Sequence, residues 1–75
     1  MADPTAEQWI EAFAAAAGAD PPTPEELDAL LGLASVAAHA SERRAAPIAC
    51  WIAARAGLDP AASKRLAESI AAAEK

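Results

Sequence analysis

Cysteine, histidine and aromatic residues are scarce in this chain. It holds one cysteine, one histidine, one phenylalanine, two tryptophans and no tyrosine in 75 residues. A single cysteine excludes an internal disulfide, and one histidine with one cysteine cannot fill a tetrahedral metal site. No metal and no cofactor are therefore expected. Glycine is limited to three positions, none set in the glycine-rich loop that cradles a phosphate. No apolar run reaches the length of a membrane span. The opening "MADPTAEQ" lacks the basic-then-apolar pattern of a secretory leader. The cytoplasm is the expected location, with no membrane partner.

Alanine fills the gap, at twenty-five positions against fourteen bulky apolar side chains. Alanine favours helix but buries little area, so the composition gives helix propensity more readily than core volume. A thin core makes a partner, or a second copy of the chain, a natural source of extra stability.

Charge is unevenly placed. Residues 1–42 carry eight acids and no lysine or arginine, whereas residues 43–75 carry six basic residues and three acids. Such polarity can steer a charged partner, or it can be neutralised between the two halves of a folded chain. Nucleic-acid binding is not expected, because part of the small basic complement offsets acid in its own half.

Proline and glycine divide the chain into four helical segments, at about 4–17, 24–41, 47–56 and 60–74. Asp3 with Pro4 reads as the start of the first, and Gly18 as its stop. The stretch "ADPPTP" then forms a stiff connector. "TPEE" from Thr23 is a capping box opening the second helix, whose stripe is Leu27, Leu30, Leu31, Ala34 and Ala38. Leu33 and Val36 fall off that stripe, which marks this helix as the central one. Pro47 is read as opening the third helix, where Ile48, Trp51, Ile52 and Arg55 share a face. Gly57 ends it, and Asp59-Pro60 starts the fourth. There Ala62, Leu66, Ser69, Ile70 and Ala73 are expected inward, with Lys64, Arg65 and Glu68 solvated. No strand pattern or repeat competes. The expected fold is a single all-α domain, a compact antiparallel four-helix bundle.

The chemistry-bearing residues crowd into "AHASERRAAPIACWIA", residues 37–52. His39, Arg43 and Arg44 suit the negative end of the second helix. They are also candidates for an anion-binding or partner-binding corner with Pro47, if the free amides after that proline add their donors. Cys50, within the first turn after Pro47, is a weaker candidate for a nucleophile of lowered pKa with His39 as base. No orienting acid stands by except Glu42, and no catalytic residue is expected. Trp9 and Trp51 are candidate anchors, at least one expected in the core. Arg55 lies four residues after Trp51, within stacking reach. A tryptophan left exposed would mark a partner surface.

Trp9, "EELDALLGLA" (25–34) and "AHASERRAAPIACWIAARAG" (38–57) together resemble a small bacterial domain family of unassigned function. Its members occur alone or fused to molybdenum-cofactor guanylyltransferases, and near formate dehydrogenase genes. The matching pattern is Ala38-His39, Glu42-Arg43, Ala45-Ala46-Pro47 and an apolar helix ending at Gly57. Where such sequences often carry threonines and a phenylalanine after the proline, this chain has Ala49, Cys50 and Trp51. The final helix lies outside the stretch that carries the resemblance. The resemblance implies a non-enzymatic accessory subunit or maturation factor, with a larger partner such as a molybdoenzyme or its maturation machinery. The alternative reading is a binding module for an anionic pterin, nucleotide or oxyanion at His39, Arg43 and Arg44.

Overall fold

The computed structural model describes residues 3–73. All regular structure among them is helical: α1 (Ala6–Ala17), α2 (Pro24–Ala40), α3 (Ala45–Arg55) and α4 (Pro60–Ala73).

Local chemistry sets the ends of these helices. The first helix starts not behind Asp3 but behind Thr5, with a capping box. The Thr5 hydroxyl accepts from the Gln8 amide at 3.1 Å, and the Gln8 side chain accepts from the Thr5 amide at 2.9 Å. "TAEQ" thus repeats the logic of "TPEE", where Thr23 and Glu26 make the same pair of bonds at 3.1 and 2.9 Å. Two reciprocal bonds satisfy two exposed amides, which one aspartate at position 3 could not do. Asp59 starts α4 by accepting from the Ala62 amide at 2.8 Å, with Pro60 at the first helical position.

Two helices stop in the same way. Gly18 and Gly57 adopt φ of 76° and 78°, the left-handed region that only glycine enters without strain. After α3, the Gly57 amide donates to Ala54 and the Leu58 amide to Ala53, both at 3.1 Å. After α1, Gly18 donates to Ala15 and Ala19 to Ala14 at 3.2 and 2.9 Å. This paired bonding consumes the last orphan carbonyls of each helix.

The break between α2 and α3 lies upstream of the proline. The chain turns through residues 41–44, and Pro47 sits inside the first turn of α3, two residues after its start. A missing N–H costs nothing there, because the first amides of a helix have no partner within it. The proline therefore does not make the corner.

α2 packs against both α3 and α4, while α3 and α4 approach one another far less. No Cα of α1 comes within 8 Å of another helix, so in place of the expected antiparallel packing of all four helices, α2, α3 and α4 form a body with α1 at one side. Ile10 and Ala14 turn α1 toward the proline connector and the start of α2: Ile10 lines a pocket with Pro22 and Leu27, and Ala14 is buried.

The buried faces also differ from the expected ones. Leu33, off the expected stripe, is only 3% exposed, whereas Leu31 is 60% exposed. On α4 the inward side is small: Ser63 is buried and Ala67 and Ala71 half-buried, with Leu66, Ser69, Ile70 and Ala73 exposed. Small residues let α4 come close to α2. The Lys64 stem crosses directly over Gly32, so that a Cβ there would lie 2.8 Å from Lys64 Cε. Lys64 is accordingly half-buried rather than solvated. No helix among the described residues is long and apolar enough to cross a membrane.

Candidate functional site

His39, Arg43, Arg44 and Pro47 are all exposed at the α2–α3 turn. His39 folds back on its own helix, with Nδ1 2.7 Å from the Ser35 carbonyl and 3.3 Å from the Ser35 hydroxyl. A carbonyl only accepts, so Nδ1 carries the proton, and in the neutral ring Nε2 is left as an acceptor. His39 can therefore donate to an anion only when protonated.

The backbone adds little to such a site. The Ala45 amide donates to Glu42 at 2.9 Å and the Ala46 amide to Arg43 at 3.1 Å. Position 47 is proline and has no N–H. The amides that usually make a helix start attract anions are thus consumed or absent at α3. What remains is side-chain charge. Arg44 meets Glu42 at 3.3 Å while keeping 86% of its side-chain exposure, which leaves that pair weak and its guanidinium available. Arg43 makes no ion pair among the described residues.

Cys50 lies in the second turn of α3, half-buried, and burial pushes its thiol above the ordinary cysteine pKa. The expected lowering by a nearby helix start does not occur, because α3 starts five residues before Cys50 and desolvation dominates. A protonated thiol is a poor nucleophile. Among the described residues no cluster of three histidine, cysteine or acidic side chains could hold a metal.

Neither tryptophan is in the core. Trp9 is 58% and Trp51 61% exposed. Trp9 stacks on Phe13, one turn later, with ring centroids 5.3 Å apart. The Arg55 guanidinium lies 5.0 Å from the Trp51 ring centroid, within cation–π range. Arg44, Ile48, Trp51 and Arg55 are spaced four, three and four apart, so they form one stripe along α3. Each of the four is exposed. The stripe turns away from the side of α3 that carries Ala49 and Ala53, which faces the body.

A second apolar surface was not legible in the sequence. Where α3 and α4 diverge over α2, an open groove is walled by Ile52, Leu66 and Ile70 and floored by Leu33. It continues past Ala49 and Ala67 toward Val36 and Ala40. The available signal was the spacing of Ser63, Ala67 and Ala71, small residues one turn apart on α4.

A family model described as a domain of unknown function, DUF6457, matches residues 1–75. The match includes α4, so the final helix is part of the family's domain. No curated protein and no solved structure matches the chain.

Proposed function

The chain belongs to the DUF6457 family of domains of unknown function, and we propose that it is a non-enzymatic interaction module that docks a larger protein on the outer stripe of α3. The carrying observation is that stripe: Trp51 held under Arg55 at 5.0 Å, flanked by exposed Ile48 and Arg44. Tryptophan and arginine dominate binding hot spots because they combine large apolar area with directional donors. Stacking pre-orders both side chains, so less freedom is lost on binding. Arg43 extends the positive end of the stripe, and His39 joins it when protonated. The complementary partner surface is apolar at its centre and acidic at its edge.

The resemblance carried by Trp9 and residues 25–57 supports the partner's class, a molybdenum-cofactor-dependent oxidoreductase such as formate dehydrogenase, or its maturation machinery. The anion-binding alternative keeps its arginines but has lost the backbone donors it needed. The test is titration of the purified chain against purified formate dehydrogenase and molybdenum-cofactor guanylyltransferase. Micromolar binding, weakened at least tenfold by Trp51→Ala and by Arg44→Glu, is the expected result. If neither protein binds, or if both variants bind as well as the parent chain, the reading fails. Heat evolved with molybdate or nucleotides, and lost in the Arg43→Ala/Arg44→Ala variant, would favour the alternative.

A further inference from the structure

We propose that copies of the chain associate with one another, the outer stripe of α3 in one copy seating in the cleft between α1 and α2 of the next. The proposal rests on the partner reading only in taking that stripe as a docking face. It adds what covers the stripe when no larger protein is bound.

The cleft lies where α1 leans on the start of α2. Ile10 of α1, Leu27 of α2 and Pro22 between them wall an open space of about 360 Å³, and Glu7 and Glu11 stand on the same wall as Ile10. Pro24, Leu27, Asp28 and Leu31 are spaced three, one and three apart, so they share one side of α2. Leu31 is exposed and continues that apolar side, while Asp28 adds a third carboxylate to it. None of the three acids makes an ion pair among the described residues, and residues 1–42 hold no lysine or arginine to supply one. Laying α1 flat along α2 would press these carboxylates together, and no Cα of α1 comes within 8 Å of α2. The cleft is apolar at its centre, acidic at its edges and open.

The α3 stripe is its counterpart. Ile48 and Trp51 are more than half exposed and lie between Arg44 and Arg55. α3 itself holds no acid, and Glu42, just before it, is already held by Arg44. Seated together, apolar centre meets apolar centre and base meets acid. α1 has 12 residues and α3 has 11, so the two helices run roughly 17 Å beside each other at the helical rise.

This match can be made only between copies. Leu33 is two residues from Leu31 and turned to the opposite side of α2, where α3 and α4 cover it. The stripe points away from that body, so the thickness of α2 separates a chain's stripe from its own cleft. No Cα of α1 comes within 8 Å of α3 either. One stripe in one cleft buries less than about 1,200 Å², which places the contact among weak encounters. A dissociation constant of roughly 100 μM at low salt is expected, rising as salt screens the charges.

Sedimentation equilibrium of the full chain, with no other protein present, tests the proposal. The mean mass should climb above 7.6 kDa as concentration approaches millimolar, and added salt should lower it. Glu7→Arg/Glu11→Arg in the cleft and Arg44→Glu/Arg55→Glu on the stripe should each weaken association at least tenfold. All four positions are exposed, and circular dichroism should show helical content kept. Mixing the two variants should give a one-to-one complex, because one intact stripe then meets one intact cleft. A measurement free of those variants uses Trp9→Phe, which leaves Trp51 as sole reporter: its emission should shift to the blue as concentration rises. A chain still monomeric at millimolar concentration overturns the proposal, as does association indifferent to both charge variants. Association lost in Ile70→Arg but kept in the charge variants also overturns it, and identifies the α3/α4 groove as the contact. The Glu7→Arg/Glu11→Arg variant keeps the stripe intact, so its titration against formate dehydrogenase reads the partner reading by itself.

Discussion

Leu33 and Leu31 are two residues apart on one helix and have opposite fates. Leu33 sits under α3 and α4, while Leu31 points to solvent. Leu33→Ala should cost about 2–5 kcal/mol, a large share of the roughly 4–11 kcal/mol that a chain this size commands. Leu31→Ala should stay within about 0.5 kcal/mol. Urea midpoints of the two variants check this, and equal losses would contradict the burial pattern. At Gly32 the obstacle to a methyl group is only the far end of Lys64, which can swing aside. Gly32→Ala should therefore gain up to about 1 kcal/mol from helix propensity, read as a higher urea midpoint. Cys50 gives a pH signature. Burial raises its pKa, so the unfolded chain ionises first and stability falls as pH climbs through the ordinary thiol range, about 8.5. Alkylation at pH 8 should be slower in the native chain than in urea.

Helix ends were legible in the sequence because capping is local. Thr23, Gly18, Gly57 and Asp59-Pro60 act through bonds that span three to five residues, and each can be read without knowing the fold. The same rule, applied at Thr5 instead of Asp3, would have placed α1 as well. Inward faces were less legible, because alanine on every side of a helix blurs the contrast between its stripes. α4 shows this best: its bulky Leu66 and Ile70 suggested the inside, but close approach to α2 selects Ser63 and Ala67 instead. The stand-off of α1 depends on connector geometry and was not legible at all. Two threonines with identical capping bonds should consequently differ in effect. Thr23→Ala should lower the global urea midpoint by the equivalent of about 1 kcal/mol. Thr5→Ala should reduce helix content through α1 while leaving the midpoint of the three-helix body nearly unchanged. Pro47→Ala should cost no more than about 1 kcal/mol, the loss of its restraint on the unfolded chain, and should leave the α2–α3 turn in place. Collapse of helix content would instead make the proline the architect of that corner.

The molecule as a whole is longer than its residue count suggests. Its Cα radius of gyration is 13.5 Å and its extents are 46 × 27 × 19 Å, against about 11 Å for a compact chain of 75 residues. The separated arm accounts for the difference. Amide exchange should follow the same division, fast through α1 and slower through α2. Exchange that is uniform along the four helices at low concentration would contradict a separated arm.

Among the described residues no large side chain is completely withdrawn from solvent, and that sets the thermal behaviour. Exposure of apolar area is what gives unfolding its heat-capacity increment, near 1 kcal/mol/K for an ordinary chain of this length. A single copy that hides so little must melt with a smaller increment, over a wide temperature interval and with a flat stability curve. A sharp calorimetric transition would contradict so thin a core.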